Sequence, residues 1–219
     1  MCSSDLTSTR PDLSFAVNQA SRHLSAPTRF DWIQVKRILR YLAGTTSYGV
    51  SFERIPLRLE AYADADWGGD LNSRRSTSGY ALFLAGGCIS WKSQVQKSVA
   101  LSSMEAEYMA ASQACQEIIW ARSILADLGY EQEGATVLKE DNQSCIALTK
   151  ESRYHKRSRH IDIKYHFIRE TVLSGQVCLQ YCPSAEQKAD IFTNSLPRLK
   201  HQESNSQLCL RPSTTLQGE

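Results

Sequence analysis

The chain has 219 residues, 42% of them hydrophobic, with 25 basic against 23 acidic side chains and a formal net charge of +2. That length suffices for a buried core and points to one domain plus an appendage, and a charge of +2 does not by itself establish a nucleic-acid partner. No run approaches the ~20 apolar residues of a membrane span, the start at Met1-Cys2-Ser3-Ser4-Asp5 lacks a signal-peptide pattern, and the seven cysteines form neither a disulfide nor a zinc framework. Cys88, Cys115, Cys145 and Cys178 lie in apolar runs and are expected as buried free thiols of a reducing compartment, so the protein is expected inside the cell, cytoplasmic or nuclear, and not secreted.

In chain order, Trp32, Val35, Leu39 and Leu42 recur at helical spacing with the basic residues turned away, and Gly44 stops the helix. An antiparallel meander follows: Leu57–Ala63, Gly79–Leu84, a turn at Ala85-Gly86-Gly87, Cys88–Trp91 and Ser98–Leu101. In the first of these, Leu57, Leu59, Ala61 and Ala63 alternate with Arg58, Glu60 and Tyr62, the period of a half-buried strand. A long helix runs from about Met104 to Leu128 and ends at Gly129. Then come a strand Thr136–Lys139, helices near Ser144–Lys150 and Ile161–Leu173, a strand Gln176–Cys182 and a helix near Ala185–Ser195. From Pro197 the apolar period is lost, and 198–219 is expected as a disordered tail. The fold class is α/β: a mixed five-stranded sheet, three antiparallel strands then parallel ones, flanked by helices and preceded by a short helical segment. The expected division is 1–53 helical, 54–197 the main domain and 198–219 the tail.

Four acidic residues stand in distinctive contexts: Asp64 at the end of the first strand, Glu107 in the long helix, Asp141 after the Thr136 strand, and Asp190 in Gln187-Lys188-Ala189-Asp190. Asp64 and Asp66 share a strand face, and strand carboxyl ends are where α/β sheets build ligand sites. Ser102-x-x-Glu105 fits a capping box, which gives Glu105 a structural task. Glu107 projects about 200° around the helix, toward Ala110, Ala111 and Ala114, and so over the strand ends. Carboxylates are hard, acceptor-only ligands suited to Mg²⁺, and two such metals about 3.5–4 Å apart can clamp the attacking and leaving oxygens of a phosphodiester.

Basic residues cluster at Lys36, Arg37 and Arg40, at Arg74 and Arg75, and along 153–160, including Arg157, Arg159 and His160. A single basic run is most often a solvated face; three around a carboxylate site make a groove for phosphates. Asn142 either caps the helix that follows or, with Gln143, donates to a substrate.

The order of these segments resembles the ribonuclease H domain of copia-type retrotransposon Pol polyproteins. The resemblance rests on Ala63-Asp64-Ala65-Asp66-Trp67-Gly68-Gly69-Asp70, Arg74-Arg75-Ser76-Thr77-Ser78-Gly79-Tyr80, Ile89-Ser90-Trp91-Lys92-Ser93, Glu107-Tyr108-Met109-Ala110, Asp141-Asn142-Gln143-Ser144 and Arg159-His160-Ile161-Asp162. Upstream, 9–17 and 32–45 are similar to the carboxyl end of the reverse transcriptase region, without its catalytic Asp-Asp motif, so no polymerase activity is expected. The resemblance implies a ribonuclease H-like fold and a catalytic and metal-binding quartet of Asp64, Glu107, Asp141 and Asp190 holding two Mg²⁺, or Mn²⁺. It also implies cleavage of the RNA strand of an RNA–DNA hybrid, with Asn142, Gln143, Arg74, Arg75, Arg157, Arg159 and His160 as substrate contacts and other Pol-derived proteins as further partners. Asp64 would serve both metals, Glu107 and Asp141 the leaving-group side, and Asp190 the side that activates water. Two departures count against activity: Thr193-Asn194-Ser195-Leu196 stands where the family carries Thr-Lys-Pro-Leu, and the loop histidine of many cellular ribonucleases H is missing from 182–187. The alternative is a catalytically inactive remnant that binds nucleic acid weakly or acts only in protein interaction.

Overall fold

The computed structural model describes residues 7–150 and 159–213, and the side chains in that range apart from those of 159–162. In chain order the elements are α1 (Ser14–Ser21), α2 (Arg29–Gly44), β1 (Tyr48–Val50), β2 (Glu60–Ala65), β3 (Thr77–Leu84) and β4 (Gly87–Val95). There follow α3 (Ser103–Asp127), β5 (Thr136–Glu140), α4 (Gln143–Lys150), α5 (Arg159–Leu173), β6 (Val177–Tyr181), α6 (Arg198–Gln207) and β7 (Leu210–Pro212). Single 3₁₀ turns lie at Pro11–Leu13, Ser184–Glu186 and Asp190–Phe192.

The main sheet has the order β4-β3-β2-β5-β6, with β2, β3 and β4 antiparallel and β5 and β6 parallel to β2. β2 is therefore the central strand. Ala61 and Ala63 present a small-residue surface on which α3 lies through Ala110, Ala111, Ala114 and Ile118, joined by Leu138, Ile168 and Val177. The opposite face carries Tyr62, Ala81 and Phe83 against Ala189, Ile191, Phe192, Leu208 and Leu210. Both faces of β2 are thus covered, and it starts three residues later and ends two later than the alternation predicted; Tyr62 is buried, not exposed. The hairpin from β3 to β4 turns at Ala85 and Gly86, both at positive φ, the twist that a two-residue hairpin loop requires.

Three expected elements differ. Ser98–Leu101 is not a strand: β4 runs on to Val95, and the buried Gln96 amide then donates to Ser78 Oγ and to the Ala106 carbonyl, each at 2.9 Å, diverting the chain into the α3 cap. The helix expected over 185–195 is replaced by two 3₁₀ turns. Gln187 between them is extended, and its side-chain amide takes backbone partners instead, donating to the Ala63 carbonyl at 2.8 Å and accepting from Ala189 N at 3.2 Å. The segment expected as a disordered tail folds through 212: α6 is followed by β7, which pairs antiparallel with β1, Val50 opposite Leu210. Its stability is non-local, because Leu208 and Leu210 are buried against the sheet while α6 itself is almost wholly polar.

α2 forms as predicted with a Thr28–Asp31 capping box, yet none of its residues is fully buried, and Trp32 and Leu39 of the expected stripe are exposed. It is held by polar contacts: Arg10 pairs with Asp12 at 2.8 Å, Tyr41 donates to Asp12 at 2.7 Å, and Asn205 of α6 donates to the Tyr41 hydroxyl at 3.0 Å. Among the described residues no helix is long and apolar enough to cross a membrane. The six cysteines there are free; Cys88, Cys115, Cys145 and Cys182 are buried, while Cys178, expected to be buried, is half-buried.

Because α6 and β7 rest on Leu208 and Leu210, Leu208→Ala is expected to destabilise the protein by about 2–4 kcal/mol. Chemical denaturation measures this; a change below about 0.5 kcal/mol would mean that the segment is not packed on the sheet.

Candidate metal centre

Three of the four predicted carboxylates converge. Asp64 ends β2, Asp141 follows β5, and Glu107 projects from the second turn of α3, and one oxygen of each lies within 4.8 Å of the others. The α3 start fixes the choice between glutamates. Ser102 Oγ caps Glu105 N at 3.2 Å, and the Glu105 carboxylate accepts from Leu101 N at 2.9 Å, one residue short of the cap residue that a full capping box would use. Glu105 is occupied by this turn, and Glu107 is free to face the strand ends.

Asp190 comes in from the opposite face on its 3₁₀ turn. Gly79, the partner of Asp64 across the β2–β3 ladder, makes that approach possible: a Cβ there would come within 2.7 Å of Phe192 Cβ and 2.9 Å of Thr193 Cγ2. From the same turn the Thr193 hydroxyl donates to Asp64 Oδ2. Both Asp190 oxygens have protein partners, Oδ1 accepting from the Asn194 amide at 2.7 Å and Oδ2 from the Lys200 ammonium. Asp141 Oδ2 accepts from the Ser184 hydroxyl at 2.6 Å. Asp66 does not join the cluster, because its carboxylate turns to Thr77 N.

Burial dominates the electrostatics. It pushes the Asp64 carboxyl up to about 7, with Asp190, Asp141 and Asp66 adding to the effect and the Thr193 hydroxyl opposing it. Glu107 is raised first by burial and then by Glu140, Asp64 and Asp141. Glu140 was not singled out from the sequence, although Thr136, Leu138 and Glu140 share one strand parity and are all buried. It is fully buried, its carboxyl is held well above the usual range by desolvation, and its Oε1 accepts from Asn142 N at 3.2 Å. Glu107 Oε2 and Glu140 Oε2 are buried and have no hydrogen-bond partner among the described residues. A hard divalent cation fits this all-oxygen donor set, because it would satisfy the Glu107 oxygen and relieve repulsion among the three converging groups. Asp64, Glu107 and Asp141 are the residues that could hold it.

The expected substrate contacts fare differently. Asn142 Oδ1 accepts from Cys145 N at 3.0 Å, the cap of α4, and Gln143 is the exposed first residue of that helix. Arg74 and Arg75 are exposed on the loop after β2. That loop is tied to α1 by Arg22, which pairs with Asp70 at 3.5 Å and donates to Thr77 Oγ1 at 3.1 Å. Lys36, Arg37 and Arg40 are exposed on α2. Arg157, and the side chains of Arg159 and His160, lie outside the described residues.

The mixed sheet of this order and direction is an α/β, ribonuclease H-like fold, and acidic side chains gather at the carboxyl ends of its strands β2 and β5. Comparison with known proteins narrows the class. The chain is 44% identical over 192 residues to the retrovirus-related Pol polyprotein from transposon TNT 1-94 of Nicotiana tabacum, covering 88% of this chain and 14% of that protein. It is 41% identical over 198 residues to the Pol polyprotein from transposon RE2 of Arabidopsis thaliana, covering 90% of this chain and 14% of that one. Its strong homologues are thus copia-type Pol polyproteins from transposons, and the chain spans about one seventh of the length of these relatives. No family model matches it. Among solved structures it is similar to LC11-RNase H1 in complex with RNA/DNA hybrid, with a TM-score of 0.47 at 13% identity, covering 63% of this chain and 94% of that one.

The raised Asp64 carboxyl gives a signed pH dependence. Its ordinary value is 3.8 and its folded value about 7, so the metal-free fold favours the protonated acid. The associated stability is complete below about pH 4 and is lost as pH rises through 7, by at most about 1.4 kcal/mol per pH unit for one proton. Metal-free protein is expected to melt lower at pH 7 than at pH 5, Mg²⁺ to restore the loss, and Asp64→Asn to flatten the slope. An apo melting temperature equal at both pH values in the unsubstituted protein would contradict the buried, crowded carboxyl.

Proposed function

We propose that the protein is a Mg²⁺-dependent endonuclease, with Mn²⁺ able to substitute, that cleaves the RNA strand of an RNA–DNA hybrid inside the cell. The observation that carries this is the convergence of Asp64, Glu107 and Asp141 at the strand ends with Asp190 beside them. The likeness to transposon Pol polyproteins and the all-oxygen donor set support it. Bound divalent ions supply Lewis acidity and a water of lowered pKa at neutral pH.

The chain's own groups do the rest. Asp64, at the centre, has its Oδ2 oriented by the Thr193 hydroxyl. Ser184 orients Asp141 in the same way. Glu107 and Asp141 take the leaving-group side, and Asp190 the side of the attacking water. Arg74, Arg75, Arg157, Arg159, His160 and Gln143 position the hybrid through its phosphates and 2′-hydroxyls, which distinguish RNA from DNA. The Asn142 side-chain oxygen is committed to the α4 cap, so that residue contributes its amide N–H groups alone. Other Pol-derived proteins are proposed as further partners. A second reading, a catalytically inactive remnant, is favoured by one observation: Asn194 and Lys200 already take both oxygens of Asp190.

A labelled RNA–DNA hybrid incubated with Mg²⁺, Mn²⁺ or EDTA decides between them. Cleavage of the RNA strand with either metal and none with EDTA is expected. Asp64→Asn and Glu107→Gln should each reduce it by at least roughly a hundredfold without loss of fold, whereas Glu105→Gln should cost only about 1 kcal/mol of stability or less. Retained cleavage in Glu107→Gln, or no cleavage by the unsubstituted protein, would reject the nuclease. Hybrid affinity should also fall with salt at a log–log slope of about −0.9 per phosphate contact, and Arg157→Ala with Arg159→Ala should flatten it by roughly one to two units. A slope near zero would remove the proposed groove.

A further inference from the structure

The two halves of the carboxylate site are chemically unlike. On the α3 side, oxygens of Asp64, Glu107 and Asp141 converge, and Glu107 keeps a buried oxygen that no donor among the described residues reaches. On the α6 side, Asp190 already has a cation. The Lys200 ammonium bonds its Oδ2, and the Asn194 amide donates to its Oδ1 at 2.7 Å.

Lys200 is delivered by a fixed support. It lies in the first turn of α6, a helix closed by the β1–β7 ladder and by buried Leu208 and Leu210. The same helix is fastened to the upstream segment, with His201 Nε2 3.2 Å from the Asp12 carbonyl and Asn205 donating to Tyr41 at 3.0 Å. The backbone of Lys200 is therefore placed by long-range packing, while its side chain, 46% exposed, keeps freedom to swing away. Asp190 is the less exposed partner at 14%, so the lysine can leave and the carboxylate stays.

We propose that Lys200 belongs to the metal centre as a positioning residue that stands in for one of two divalent ions. At rest the protein holds one divalent ion, in the Asp64–Glu107–Asp141 pocket, and the Lys200 ammonium neutralises Asp190. A second ion binds at Asp190 only by displacing that ammonium, so the two ions bind with unequal affinity. This rests on the metal-dependent reading of the site. It goes beyond that reading by fixing the number of ions held at rest and by giving α6, the segment with no apolar period, a functional task.

Counting bound Mn²⁺ by the electron paramagnetic resonance of the free ion tests it without any turnover. The full chain should bind one Mn²⁺ tightly and a second at least tenfold more weakly. Lys200→Met and Lys200→Gln, each checked by circular dichroism, should bind the second ion at least tenfold more tightly and leave the first unchanged. Lys200→Arg, which keeps the charge, should resemble the unsubstituted protein. Two ions of equal affinity in the unsubstituted protein, or a second site that neither neutral variant strengthens, would overturn the role of Lys200 while leaving the metal centre intact. A lack of any bound Mn²⁺ that Asp64→Asn removes would overturn the metal centre itself, and this inference with it.

Discussion

The close packing of α3 on the alanine surface of β2 is the constraint on which the site depends. Ala61 and Ala63 share one buried cluster with Ala110, Ala111, Ala114 and Ile118, so small side chains dominate the contact of helix with strand. A helix lying that low brings Glu107 to the strand ends, where Asp64 and Asp141 already stand. Two carboxylates about 4 Å apart repel by roughly 4 kcal/mol at an effective dielectric near 20. The core therefore forces together groups that disfavour one another, and the carboxyls of Asp64, Glu107 and Glu140 are raised first by burial and then by this crowding. A hard cation turns the same geometry from a liability into a binding site.

A second closure completes the centre from the other face. The Asp190 turn lies on β3 because Gly79 has no side chain, and Thr193 then reaches Asp64. α6 and β7 cover that face and set Lys200 against Asp190. The upstream helices take part in this closure through Arg10, Asp12 and Tyr41, and through Arg22 on the loop that carries Arg74 and Arg75. Chain segments on both sides of the main sheet are thus tied to the site, which gives substitutions far from the carboxylates a route to its geometry.

How much of this was legible in the sequence followed from the range of the interactions. The β3–β4 hairpin and α3 were readable because their signals are local: Ala85-Gly86 at the turn, and Gly129 at the helix end with a positive φ. Glu107 could be separated from Glu105 because helical angle alone sends one toward the sheet. The extra burial of Tyr62, the two 3₁₀ turns around Gln187 and the fold of residues 198–212 could not be read locally. Each depends on a partner far along the chain: Leu208 for the Tyr62 face, the Ala63 carbonyl for Gln187, and β1 for β7. Glu140 lies between these cases. Its strand parity with Thr136 and Leu138 marked it as buried, but a carboxylate neighbouring Asp141 reads more readily as solvated.

The central claim is that Asp64, Glu107 and Asp141 form one divalent-metal site. The most direct measurement is the anomalous scattering of Mn²⁺ in crystals of the protein. The account predicts a peak within about 2.0–2.4 Å of an oxygen from each of the three residues. A map with no peak at the strand ends, or with Mn²⁺ on Glu105 or Asp66 in place of Glu107 and Asp64, would contradict it.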